Sequence, residues 1–149
     1  MQKGRQYMGM IFEDAFMDAQ ASMVSLCVEF LDSTNNRVDK IYIYTNCDEC
    51  SFFFNVFFEK DNQTYGTGDL FNKEDVKDLI NYGNEDLFAL FNVCKNYNRQ
   101  CPYQMKLVYD THSHQFDADY RYEEFNDDED GPTFQFINWR KAINKQLRR

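Results

Sequence analysis

Apolar residues first recur at helical spacing. Met8, Ile11, Phe12, Ala15 and Ala19 share one face, so an amphipathic helix is expected over residues 5–19. The period then changes. Val24, Leu26, Val28 and Phe30 alternate with Ser25, Cys27 and Glu29, which reads as a half-buried strand, and Asp32-Ser-Thr-Asn-Asn-Arg37 is turn chemistry. Two strands follow, over 40–46 and 51–59. In the first, Ile41 and Ile43 oppose Tyr42 and Tyr44; in the second, Phe52, Phe54, Val56 and Phe58 oppose Phe53 and Phe57. Both faces of this pair are apolar or aromatic, so one should lie under helices and the other be covered too, or form a binding surface.

Asp61-Asn62 turns the chain into a short strand near 63–66. Asn72, with Asp75 three positions on, resembles a helix N-cap opening a short helix through Val76, Leu79 and Ile80. A longer helix is expected after Asn84, with a stripe of Leu87, Leu90, Phe91, Cys94 and Tyr97, ended by Pro102. The next pattern is a hairpin. Tyr103, Met105, Leu107 and Tyr109 alternate with polar residues, Thr111–His114 turn, and Phe116, Ala118, Tyr120 and Tyr122 alternate with Asp117, Asp119, Arg121 and Glu123. An acidic loop over 126–130 and Gly131-Pro132 lead to a last helix over 133–147 with Phe136, Trp139, Ile143 and Leu147. Strands and helices do not alternate as βαβ units. The reading is a single α+β domain over residues 1–149, an antiparallel sheet with helices packed mainly on one face.

Charge narrows the partners. The net charge is −9, and five of the 16 basic residues lie in the last ten positions, leaving 11 basic against 25 acidic groups (−14) in residues 1–139. Such a body repels nucleic acid and draws basic partners, so no nucleic-acid partner is expected. The densest apolar run, 52–58, is far below the roughly 18 residues of a membrane span, so no membrane partner is expected. Five cysteines and a start, MQKGRQYMGMIFED, without a signal-peptide core fit a reduced, cytoplasmic protein.

Three patterns could carry chemistry. Cys47-Asp-Glu-Cys50 has the spacing of half a zinc site or a redox pair, but no second CxxC or His pair completes it, and a turn with two thiols explains it as well. His112 and His114, with Asp117, could hold a divalent metal for a hydrolase, against the alternative of an exposed polar turn. No phosphate loop or nucleophile elbow is present, and no cofactor is expected. The remaining candidate is a surface. Asp117, Asp119 and Glu123 on the strand, Asp127, Asp128, Glu129 and Asp130 in the loop, and surplus aromatics would suit recognition of a protein partner rather than catalysis.

The run NEDLFALFNVCKNYNRQCPYQMKLVYDTHSHQFDADYRYEE resembles the YezG-like family of bacterial antitoxin (immunity) proteins. The resemblance lies in Pro102, Met105, Lys106, Leu107, Tyr109 and Asp110, then Phe116, Asp117, Ala118, Tyr120 and Tyr122. The block KIYIYTNCDECSFFFNVFFEKDNQ resembles that family's central strand pair, and Trp139 its closing-helix tryptophan. The resemblance implies a cytoplasmic protein that neutralises a cognate secreted toxin, often a nuclease, by binding it, and brings no catalytic residues with it. The Cys47/Cys50 turn and the histidine pair are outside the resemblance. A metal-dependent hydrolase at His112, His114 and Asp117 is the alternative.

Overall fold

The computed structural model describes residues 10–148. Helix α1 (Phe12–Ser33) is followed by β1 (Lys40–Cys47), β2 (Phe52–Lys60), β3 (Gln63–Gly66), a one-turn helix α2 (Thr67–Leu70) and a long helix α3 (Lys73–Asn96). The hairpin β4 (Gln104–Asp110) and β5 (Phe116–Arg121) then leads to α4 (Pro132–Leu147). The five strands form one antiparallel sheet in the order β3-β2-β1-β4-β5. The fold is the expected single α+β domain.

Two expectations are corrected by helix packing. The segment 24–30 is not a strand but the second half of α1, which runs unbroken from Phe12 to Ser33. Its buried stripe is Phe16, Gln20, Met23, Val24, Cys27 and Leu31, at helical spacing. Leu26, Val28 and Phe30, which made the alternation, are only half-buried flanks of that stripe. No Gly, Pro or Asn interrupts residues 12–33 to stop the helix. It ends where Asn35 takes a left-handed φ of 57°, with Thr34 Oγ1 donating to the Phe30 carbonyl at 2.7 Å. Residues 5–9 of the first expected helix lie outside the described residues.

The two helices expected on either side of Asn84 are one, α3. Asn72 does cap it, its side-chain oxygen accepting the Asp75 N–H at 2.7 Å. Gly83 is helical and buried, and α3 packs directly on Phe54 of the sheet there. A Cβ there would lie 2.1 Å from the ring of Phe54.

The alternation along β1 and β2 sorts the core as expected. Ile41, Ile43, Phe54, Val56 and Phe58 pack beneath α1 and α3 with Met23, Leu79, Leu87 and Leu90. Tyr42, Tyr44, Phe53 and Phe57 point to the other face, which α4 covers. Trp139 lies edge-on to Phe57 (5.2 Å) and Tyr42 (5.6 Å), and Phe136 sits 5.8 Å from Phe57. The two long helices thus occupy one face and α4 part of the other. Asp61 and Asn62 both take positive φ (52° and 65°), the geometry of a two-residue hairpin turn between β2 and β3. Burial raises the Tyr42 and Tyr44 hydroxyls well above the ordinary tyrosine value; they donate to Glu59 and Gln104 at 2.6 Å each.

Candidate functional site

Register decides which side chains β5 displays, and where. Asp117 pairs with Val108, Asp119 with Lys106 and Arg121 with Gln104, and those three in turn oppose Tyr42, Tyr44 and Asn46 of β1. The two aspartates therefore lie on the α4 side of the sheet. Helix α4, however, sits over β1, β2 and β3. Arg140 Nε donates to Thr64 Oγ1 at 2.9 Å, Thr64 Oγ1 donates to Asn144 at 2.7 Å, and Trp139 covers Tyr42 and Phe57. Lys106 of β4 reaches the edge of α4, its ammonium 5.8 Å from the Trp139 ring, and β5 beyond it is left open. There Asp117 and Asp119 are exposed, and among the described residues no ion pair reaches either. Asp117 takes a single 3.4 Å bond from Gln115.

The other side of β5 faces α1. Phe116 packs against the core, and Tyr120 lies edge-on to Phe16 at 5.7 Å and hydrogen-bonds Gln20. The strand ends at Arg121, so Glu123 belongs to the loop rather than to the alternating strand. The surplus aromatics mostly go into the two packed faces. Those left exposed beside the acidic segment are Tyr122 before it and Phe134 after it.

The segment 122–130 is built around one basic residue, Arg121. Its guanidinium grips both carboxylate oxygens of Glu129 at 2.7 Å each, donates to the carbonyls of Glu123 (2.9 Å) and Glu124 (3.1 Å), and stacks 5.0 Å from the Phe125 ring. Phe125 in turn meets Tyr103 edge-on at 4.9 Å. Glu129 is thus half-buried and internally paired. It shapes the loop instead of facing outward with Asp127 and Asp128. Asp130 is exposed and accepts from Asn138 at 3.2 Å. Glu124, which the pattern reading passed over, is exposed in the same segment. Its signal was its place in the Glu123-Glu124 pair.

The Arg121 bonds, and then the Asn126 N–H, pull the Glu129 carboxyl down from its ordinary value of 4.5 to about 2. A depressed carboxyl stabilises the fold above its unfolded value and loses that contribution as pH falls through the folded one. Acid should therefore loosen this loop between about pH 4.5 and 2. Glu129→Gln is expected to flatten the stability–pH curve in that window, measured by denaturation at a series of pH values. A parent-like slope in the variant would show that the clamp does not carry it.

The histidine pair does not assemble with Asp117. His112 Nε2 donates to Asp39 at 2.7 Å, which raises the imidazole value and lowers that of Asp39. His114, held at a φ of 64°, shares a 2.7 Å bond with the Tyr109 hydroxyl. Both line an open cleft of about 420 Å³ between the end of α1 and the hairpin turn, together with Arg37 and Thr111, whereas Asp117 is not in its wall. Asp110 is used locally, accepting the His112 and Ser113 N–H groups. Among the described residues, no three His, Cys, Asp or Glu side chains are grouped to hold a metal.

Cys47 and Cys50 are likewise not a pair. Asp48 Oδ1 accepts the N–H groups of Cys50 (2.7 Å) and Ser51 (2.9 Å), which closes the β1–β2 turn. Cys50 is exposed, while Cys47 is buried against Cys101.

No family model and no curated protein matches the chain. Among the described residues, no helix is long and apolar enough to cross a membrane.

Proposed function

We propose that this chain is an immunity-type antitoxin of the YezG-like kind, a cytoplasmic protein that binds and neutralises a cognate secreted toxin. The observation that supports it is the uncovered edge of the sheet face. Edge strand β5 exposes Asp117 and Asp119, and the loop that follows exposes Glu123, Asp127, Asp128 and Asp130. A toxin that acts on nucleic acid presents a basic surface, and carboxylates set on an edge strand and the loop after it can occupy it as phosphates would. Tyr122 and Phe134 supply exposed rings at either end of the segment for anchoring. Glu129 serves by holding the loop in shape.

The test is neutralisation. The product of the gene adjacent to this one is expressed in a susceptible host, with and without the chain, and growth is scored. Rescue by the parent chain is expected. The Asp117→Lys/Asp119→Lys double variant should associate at least tenfold more slowly at low salt and lose most of the salt dependence of association. Toxicity that the parent chain leaves unrelieved, or unchanged association kinetics in the double variant, would overturn the proposal.

A further inference from the structure

Three of the five cysteines converge although the sequence spreads them over 55 positions. Cys47 closes β1, Cys94 lies in the last turn of α3, and Cys101 sits in the loop between α3 and β4. The Cys47 and Cys101 sulfurs are 3.8 Å apart, and Cys94 lines the same cleft as both. All three line one surface cleft of about 320 Å³, walled by Phe91, Lys95 and Tyr103, and Cys101 is the most exposed of them. Cys47 and Cys94 are otherwise buried, whereas Cys101 is partly exposed. The remaining cysteines are placed differently: Cys27 is buried in the stripe of α1 and Cys50 is exposed on the β1–β2 turn.

We propose that Cys47, Cys94 and Cys101 form a peroxide-oxidisable thiol site in which Cys101 is the common partner of one intramolecular disulfide, to Cys47 or to Cys94. The contact of 3.8 Å must close to about 2.05 Å, a movement within reach of side-chain rotation at neighbouring loop and strand-end positions. The reaction balances with hydrogen peroxide as oxidant. One thiolate attacks the O–O bond and becomes a sulfenic acid, releasing hydroxide that leaves as water. The second sulfur then attacks the sulfenyl sulfur and expels a second water with its own proton. Two thiols and one peroxide become one disulfide and two waters. The third cysteine can enter by exchange, its thiolate attacking Cys101 and releasing the other sulfur.

The surroundings of the thiols favour Cys94 as the first to attack. The neighbouring Cys101 thiol lowers the Cys94 thiol, favouring its thiolate, while Cys101, set among sulfurs and partly buried, is raised. Cys27, by contrast, is raised well above the ordinary thiol value by complete burial. This site needs only the three thiols and does not depend on the antitoxin reading.

The whole reduced chain should be treated with a small excess of hydrogen peroxide, then alkylated, weighed intact and peptide-mapped. The monomer is expected to lose two hydrogens and two of its five titratable thiols, with the linkage mapping to Cys101. Cys101→Ser should slow disulfide formation at least tenfold, and Cys50→Ser should leave the parent rate unchanged. Mapping the parent protein needs no variant, so a poorly folding Cys101→Ser would not hide the answer. A linkage that omits Cys101, a disulfide-linked dimer through Cys50 as the main product, or no disulfide at all would overturn the proposal.

Discussion

Gly83→Ala is expected to destabilise the protein by about 2–3 kcal/mol, although alanine is the better helix former. In an exposed helix the exchange would stabilise by roughly 0.5–1 kcal/mol, because glycine loses more backbone freedom on folding. Here the added Cβ would stand 2.1 Å from Phe54 Cδ1, 2.2 Å from Cε1 and 2.5 Å from Cγ. Phe54 is only 1% exposed and belongs to the core beneath α1 and α3, so its ring has nowhere to swing. Helix α3 must then move away from β2, and contacts on both sides of Gly83, at Leu79 and Leu87, loosen with it. Urea denaturation measures the loss as a lower midpoint. Phe54→Leu added to Gly83→Ala should recover part of it, a coupling that two independent sites would not show. A Gly83→Ala protein more stable than the parent would mean that propensity outweighs contact at this point.

Phe57→Ala is expected to cost still more, about 3–5 kcal/mol, and to do so unevenly. The Phe57 ring is wholly buried, stacked on Tyr42 with centroids 4.6 Å apart, and it receives the edges of Phe136 and Trp139 from α4. No residue of α4 is itself fully buried, so the helix depends on this aromatic platform for its place. Losing the platform should release α4 before the sheet and the long helices melt. Trp139 is the only tryptophan in the chain, so its fluorescence reports directly on the seating of α4. The expected result is red-shifted emission under native conditions with most of the far-ultraviolet helical signal retained, followed by a lower unfolding midpoint. Unshifted emission with a lowered midpoint would show instead that α4 and the sheet come apart together.

The fold was legible wherever a period was unambiguous. Alternation placed β1, β2, β4 and β5, and the positive-φ pair Asp61-Asn62 was readable as a turn from residue type. It failed where two periods overlap. Val24 belongs both to a run of alternating apolar residues and to the helical stripe, and only packing against α3 and the sheet favours the second. Asn81 to Asn84 reads as a break because glycine and asparagine punctuate chains. Burial overrides that, since Gly83 is needed for contact rather than for a turn.

The site was legible as a set of charges but not as an arrangement. Seven acidic positions could be named, yet nothing in the sequence says that Glu129 is engaged by Arg121, eight residues away across the end of a strand. The bond of His112 to Asp39 spans 73 residues and the Cys47–Cys101 contact 54, distances over which only the sheet order connects the partners. The spacing of Cys47 and Cys50 was readable as a turn, and Asp48 closes it, but nothing in that spacing points to Cys101 as the neighbour of Cys47.

The position of β5 at the edge of the sheet has one more consequence. An outermost strand offers its free backbone groups to any strand that comes alongside, including that of another copy of the chain. Asp117 and Asp119 stand on that strand, so two identical edges approaching each other bring carboxylate against carboxylate. The same charges that would welcome a basic visitor therefore turn away kin, and keep a sheet with an open border from growing into a stack of itself.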